Sequence, residues 1–341
     1  MWNVIGQDKA VNSLKRSLEA GRLFHAYLFV GAEHVGKMTL AITLAQALNC
    51  ASTEAPCGEC HICRRIASGN HPDLQIIRTG ATNGSQQHKE ISIEQVREVQ
   101  HMVSLRPYEG NYRVIITQDA EYMSEGAANC FLKTLEEPPP FTLFILLTSD
   151  ASGLLPTIIS RCQRIDLERM PFHIARQALT TEKGLSPERA ELLARLSGGC
   201  IGWAISAADD ENIVDDRSQV MERLISVARW DISERFAFAS ELAGEFSNDR
   251  ASVRTKLALW LTWWRDLLLA KSGCTDFITN IDRREEVERQ AGQYETWVIH
   301  NMIRSIRETM QRLDRNANPR LALEVLMLQL PFEREGSHAS S

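Results

Sequence analysis

The stretch AYLFVGAEHVGKMTLAITLAQALN, residues 26–49, decides the fold. AYLFV (26–30) is a short apolar run that stops at Gly31, as a buried strand does. MTLAITLAQALN (38–49) supplies a helix. Between them Gly31, four residues, Gly36 and Lys37 follow the pattern G-x-x-x-x-G-K-[ST]. Strand, glycine-bearing loop and helix in that order are the context a phosphate-binding loop requires. Backbone N–H groups and an ammonium then surround phosphate at a helix N-terminus, where the helix dipole also favours anions. A glycine turn with a chance lysine is the alternative, and it leaves the flanking elements unexplained. The last position of the pattern departs. Met38 stands where a hydroxyl would hold Mg²⁺, and a thioether does not coordinate a hard cation. Thr39 comes one residue late, about 100° round the helix. ATP is expected to bind weakly or not at all, with the metal geometry for phosphoryl transfer broken.

A second buried strand is VIIT (114–117), followed by a helix around 127–135, and a third is FILLT (144–148). Helices alternating with apolar strands predict a parallel α/β sheet covered on both faces. A helix is also expected over 7–21, from Ala10, Val11, Leu14 and Leu18 at helical spacing. Strand signals vanish after about residue 168. Residues 172–208 read as short helices broken at Gly184 and Gly198-Gly199, and 210–331 as longer amphipathic helices. No internal repeat is present. EREGSHASS, at the end, is small and polar and reads as a frayed tail.

The 341 residues exceed one ordinary core and predict two or three domains. Hydrophobic residues at 44% and charged residues at 24% give the balance of a soluble globular protein. No apolar run reaches the roughly 18 residues of a membrane span, and the N-terminus has no signal-peptide character. A cytoplasmic location follows as the expectation. The formal charge of −6, without a basic stripe legible in the sequence, argues against a dedicated nucleic-acid binder.

In an ATPase with such a loop, the second strand ends in Asp-Glu: the aspartate orients Mg²⁺ and the glutamate polarises the attacking water. Here the strand runs RVIITQDAEYM, so Asp119 is followed by Ala120 and the first glutamate is Glu121. Asp119 and Glu121 either cap the next helix or keep a role at a metal. The general base is missing on both readings.

Eight cysteines are too few for a disulfide scaffold in a chain of this length. Cys50, Cys57, Cys60 and Cys63 crowd into CASTEAPCGECHIC, where two C-x-x-C steps share Cys60. Four thiolates converging in a loop insertion (about 50–71) match a closed tetrahedral structural Zn²⁺ site. Metal-free reduced thiols or a redox pair remain alternatives, and His61 or His71 could replace one sulfur. Cys130, Cys162, Cys200 and Cys274 fall in expected core or motif positions and should simply pack. In TIISRCQRI (157–165), Arg161 follows the third strand. It is either a salt-bridged surface residue or a guanidinium aimed at phosphate in a neighbouring subunit.

Taken together, the loop at 31–37, the cysteine cluster, NCFLKTLEEPPP (129–140) and SRC (160–162) resemble the clamp-loader AAA+ proteins of bacterial replication, the DNA polymerase III clamp loader among them. The likeness is close over 1–167, weaker over 168–208, and rests on helical character beyond. It implies an AAA+ α/β domain at 1–167 carrying the cysteine module, a helical lid at 168–208, an all-helical collar at 209–331 and a tail at 332–341. By the same resemblance Thr148 occupies a polar sensor position, and a nucleotide-sensing lid arginine aligns with Gly202. Gly31, Gly36, Lys37, Thr39, Asp119 and Thr148 would then be the remains of a nucleotide site. Arg161 would complete the ATP site of an adjoining gamma/tau subunit. Partners implied are gamma/tau, a clamp-opening delta subunit, and, through the assembly, the sliding clamp and primer-template DNA. The losses at Met38, Ala120 and Gly202 point to a rigid, non-hydrolysing member. A divergent active ATPase of the gamma/tau kind, using Thr39 and Glu121, is the alternative. A zinc-dependent DNA-binding regulator is a second one. Trp260, Trp263 and Trp264 share one helix face, for the core or for a collar interface.

Overall fold

A computed structural model describes residues 2, 4–79, 90–315 and 317–332. Most of the expected tail lies outside the described residues. The chain divides into two compact units. One runs to Ala178 and includes Gly199–Trp203; the other comprises Leu179–Gly198 and continues from Ala204.

The first unit is built on five strands: β1 (Ala26–Val30), β2 (Leu74–Ile77), β3 (Arg113–Thr117), β4 (Thr142–Thr148) and β5 (Gln163–Asp166). They pair in the order β2-β3-β4-β1-β5, every pair parallel. Parallel neighbours require crossovers. In chain order the helices of this unit are α1 (Asp8–Glu19), α2 (Lys37–Asn49), α3 (His61–Ala67), α4 (Ile93–Val103), α5 (Glu125–Glu136) and α6 (Pro156–Ile159). Side chains alternate across each strand. Tyr27, Phe29, Val114, Ile116, Leu143 and Ile145 therefore meet Leu14, Leu40 and Leu44 on one face. Leu28, Ile115, Phe144 and Leu146 meet Val99, Phe131 and Ile158 on the other.

Three strands correspond to those read from the sequence; β2 and β5 are additional. Both lie at the sheet edges. In β5 only Ile165 is buried, so the strand lacks the apolar run that marks the central ones.

Among the described residues no strand follows Asp166. Here α7 (Phe172–Lys183), α8 (Pro187–Leu196) and α9 (Ile201–Asp209) precede α10 (Asn212–Ser226), α11 (Ile232–Asn248), α12 (Arg250–Lys271), α13 (Arg284–Gln293), α14 (Thr296–Asp314) and α15 (Pro319–Gln329). The division between units runs through α7 and α9. Trp260, Trp263 and Trp264 are buried in the core of the second unit, alongside Leu257, Met302 and Leu326. Among the described residues no helix is long and apolar enough to cross a membrane.

Candidate functional site

The phosphate-loop motif occupies the place its sequence demands, at the C-terminal end of a central strand. The N–H of Gly31 donates to the carbonyl of Thr148 at 3.1 Å, tying the loop to the end of β4. A Cβ at Gly31 would stand 2.6 Å from the Leu167 carbonyl oxygen, so only glycine fits. Gly36 opens α2 at φ +107°, a conformation that glycine adopts without strain. Lys37 is the first helical residue, and its ammonium donates to the carbonyls of Gly31 and Ala32, the latter at 3.0 Å. Burial lowers its pKa, against the opposing pull of Glu121, Asp119 and Glu33. Met38 is half-buried and packs against the core beneath α2. Thr39 is exposed in the first turn of α2.

At the end of β3, Asp119 adopts a left-handed conformation, φ 51°. Burial, then the nearby charges of Glu121 and Glu33, push its carboxyl up to about 6, against the pull of Lys37. Its side chain makes no capping bond to the short 3-10 turn that follows. Ala120 is completely buried. Glu121 points to the neighbouring strand end: one carboxylate oxygen accepts from the Ser149 N–H at 3.0 Å and from its hydroxyl at 2.6 Å. Thr148 is fully buried, its hydroxyl oxygen accepting from the Asp150 N–H at 3.1 Å. Lys37, Asp119 and Glu121 are thus electrostatic neighbours.

The beginning of α9 closes over the loop from the other side. Gly202 donates its N–H to the His34 carbonyl at 2.8 Å. A Cβ on Gly202 would come within 2.6 Å of that same oxygen. The backbone contact therefore excludes any side chain at the position where the resemblance places a lid arginine.

The cysteine centre forms at the far end of α2, whose 13 residues separate it from the loop by about 20 Å. The Sγ atoms of Cys50, Cys57, Cys60 and Cys63 all lie within 4.8 Å of one another. Cys50 is 3.6 Å from Cys57 and 4.0 Å from Cys60, and Cys57 is 4.0 Å from Cys63. Zinc–sulfur bonds of about 2.3 Å in a tetrahedron put sulfurs about 3.8 Å apart, so the donor set fits a closed metal site. Backbone N–H groups aim at the sulfurs: Cys60 N–H at Cys57 (3.3 Å) and Cys63 N–H at Cys60 (3.4 Å). The N–H groups of Cys60 and Glu59 hold the Cys57 thiol below its ordinary pKa; burial pushes Cys63 up.

Neither histidine joins this set. His71 is buried with Nδ1 accepting from the Asp73 N–H at 3.1 Å and Nε2 3.3 Å from a Glu109 oxygen. His61 is exposed at the start of α3. Of the other cysteines, Cys200 is buried and Cys130 and Cys162 are half-buried, but Cys274 is exposed and does not pack. It lies in the turn that follows α12, and the chain re-enters the core only at Ile278.

A buried polar centre that the sequence reading missed braces the same end of the sheet. Asp73 accepts from the N–H groups of Tyr108 (2.6 Å), Glu109 (2.9 Å) and Gly110 (2.8 Å), and from the Arg113 guanidinium at 3.2 Å. Its burial would raise the pKa, but these donors outweigh it and hold the carboxyl below its ordinary value. The partners lie 35 or more residues away, so no local pattern announces them.

Arg161 lies just beyond α6, half-buried at the surface. Its Nη1 donates to the Thr157 carbonyl at 3.1 Å and its Nη2 to a Glu136 carboxylate oxygen at 2.8 Å.

Residues 6–171 match the family described as DNA polymerase III, delta subunit, and 211–331 match its C-terminal domain. The delta-prime subunit of DNA polymerase III from Bacillus subtilis is 30% identical over 95% of this chain and 96% of its own length. The tau subunit from the same organism is 26% identical over 96% of this chain but only 61% of its own length. A Haemophilus influenzae delta-prime subunit is 34% identical over 54% of this chain and 55% of its own length. With two family matches covering both halves and a relative aligned almost end to end, the chain belongs to the DNA polymerase III delta-prime family.

Proposed function

We propose that this chain is a non-hydrolysing, cytoplasmic subunit of the DNA polymerase III clamp loader. It lends Arg161 to the ATP site of a neighbouring gamma/tau subunit. On this reading 1–167 is the AAA+ domain, 168–208 its lid and 209–331 the collar that assembles with gamma/tau and delta; the sliding clamp and primer-template DNA are met through the complex. Zn²⁺ in the Cys50–Cys57–Cys60–Cys63 centre is structural, since a closed four-sulfur site leaves no open position for chemistry. The observation that carries the proposal is the contrast between Arg161 and the chain's own phosphate loop. Arg161 is intact and surface-accessible. At the chain's own loop a thioether replaces the metal-binding hydroxyl, and Ala120 replaces the base.

The active-ATPase alternative would need Thr39 and Glu121 in service. Thr39 faces solvent, and Glu121 is bound to Ser149; both weigh against it.

In hydrolysis, water attacks the γ-phosphorus and the bond to the bridging β–γ oxygen breaks, releasing ADP and phosphate. A trans arginine stabilises the charge spread over the transferring group, a contribution of roughly 10³-fold or more at the site served. Arg161→Ala in the reconstituted complex should therefore remove that acceleration at one site while the variant chain melts like wild type. Phosphate release by the isolated chain should stay at background. Lys37-dependent turnover by the isolated chain, or unchanged turnover in the Arg161→Ala complex, would overturn the proposal.

A further inference from the structure

The motif NCFLKTLEEPPP helps to identify the family, yet nothing above gives it work to do. Its geometry supplies a role for one residue. Pro138 cannot continue a helix, and it disfavours the α conformation at the residue before it. Glu137 accordingly turns out at φ −124°, ψ 73°, and α5 ends on Glu136. Leu135 and Phe131, on the inner side of α5, anchor the helix in the core with Ile158 of α6. The last helical side chain is thereby presented to the segment that carries Arg161.

We infer that Glu136 is the positioning residue for Arg161, holding its guanidinium by a charge-assisted hydrogen bond so that the remaining N–H groups are presented to a neighbouring subunit's triphosphate. The inference rests on the finger role proposed above. A guanidinium has five N–H donors in a planar fork. The Thr157 carbonyl and the Glu136 carboxylate engage Nη1 and Nη2, and two fixed points define the plane of a group that would otherwise sweep many rotamers. The bond to Glu136 is single rather than bidentate, which leaves donors for phosphate.

Exposure decides what the pair is for. The side chains of Arg161 and Glu136 are 35% and 52% exposed, and ion pairs so open to water contribute little to folding. A pair that does little for stability but fixes the direction of a long cation acts on orientation. Glu137, next in sequence and equally charged, is exposed and provides an internal control.

The test is steady-state ATP hydrolysis by the fully reconstituted clamp loader carrying substitutions in this chain alone. Glu136→Ala should lower kcat about fivefold, the kinetic counterpart of losing one exposed charged hydrogen bond, with KM for ATP unchanged. Glu136→Gln, which keeps an acceptor oxygen, should restore kcat to within about twofold of wild type. Glu137→Ala should match wild type, and Glu136→Ala added to Arg161→Ala should change nothing further. Unchanged or faster turnover in Glu136→Ala, or a further loss on top of Arg161→Ala, refutes the positioning role and leaves the finger proposal standing. If Arg161→Ala itself has no effect, the finger proposal fails and this inference falls with it.

Discussion

The cysteine centre makes the most quantitative prediction. Substituting Cys63→Ala removes the one sulfur of the four that is completely buried, where α3 docks against α2. A metal held by Cys50 and Cys63 clips a segment of 14 residues, counting both ends. Treated as a cross-link, closing a loop of that size reduces the entropy of the unfolded chain by an amount equivalent to about 3 kcal/mol. For a unit of this size class each kcal/mol is about 2–4 °C in Tm, so the variant should melt about 6–12 °C lower. The loss should stay local, because Ile66 of α3 belongs to the same buried apolar cluster as Leu44 and Leu48 of α2 and so ties the two helices by contacts other than the sulfurs. The assay pairs metal analysis with circular-dichroism melting. Wild type should carry close to one zinc per chain, and a strong chelator should bring its Tm down to that of Cys63→Ala. The chelator should leave the variant's Tm where it is. A metal-free wild type, or a wild-type Tm indifferent to chelation, would refute the reasoning.

Two further substitutions test carboxylates of opposite behaviour, Asp119 half-buried and Asp73 buried. The Asp119 carboxyl sits at about 6, above its ordinary value, so the native state binds the proton more tightly than the unfolded chain. Stability must then fall as pH rises from about 4 through 6; Asp119→Asn should flatten that decline and stabilise the protein at pH 7 by about 1–2 kcal/mol, read by urea unfolding across this range. Asp73 is held below its ordinary value, so its contribution is present at neutral pH and lost on acidification. Asp73→Asn leaves the charged Arg113 guanidinium without its anionic partner and should cost about 3–5 kcal/mol at pH 7, with the difference from wild type shrinking in acid.

What could be read in advance follows from where the physical signals are local. The β1–loop–α2 unit announces itself because both faces of β1 are buried and glycine is sterically required at Gly31 and Gly36, so periodicity and residue type agree. The tryptophans of α12 show a helical stripe for the same reason. β5 stays hidden because an edge strand with one buried residue has no apolar pattern to show. Arg235 is more opaque still. It reads as an ordinary helical charge, yet it is fully buried in the second unit and donates to the carbonyls of Val227, Ala228, Trp230, Leu330 and Pro331. Backbone acceptors leave no trace in residue identity. Glu136 lies between these cases: its motif is conspicuous, but its partner is 25 residues further on and only the end of α5 brings them together.

The same distinction bears on the phosphate-loop motif and its neighbours, where sequence comparison registers only missing groups. Each departure from an ATPase pattern is occupied by something else in the fold. The Met38 thioether packs into the core beneath α2, where a threonine hydroxyl would be out of place. Ala120 is fully enclosed, and a glutamate at that position would need a cavity that the close-packed sheet face does not offer. Gly202 bonds directly to the His34 carbonyl, so even a methyl group would separate α9 from the loop. Restoring the three side chains would therefore mean dismantling three sets of native contacts. Core packing holds Met38 and Ala120 and a main-chain hydrogen bond holds Gly202, so the three departures are built into the fold, as the proposed non-hydrolysing role would require.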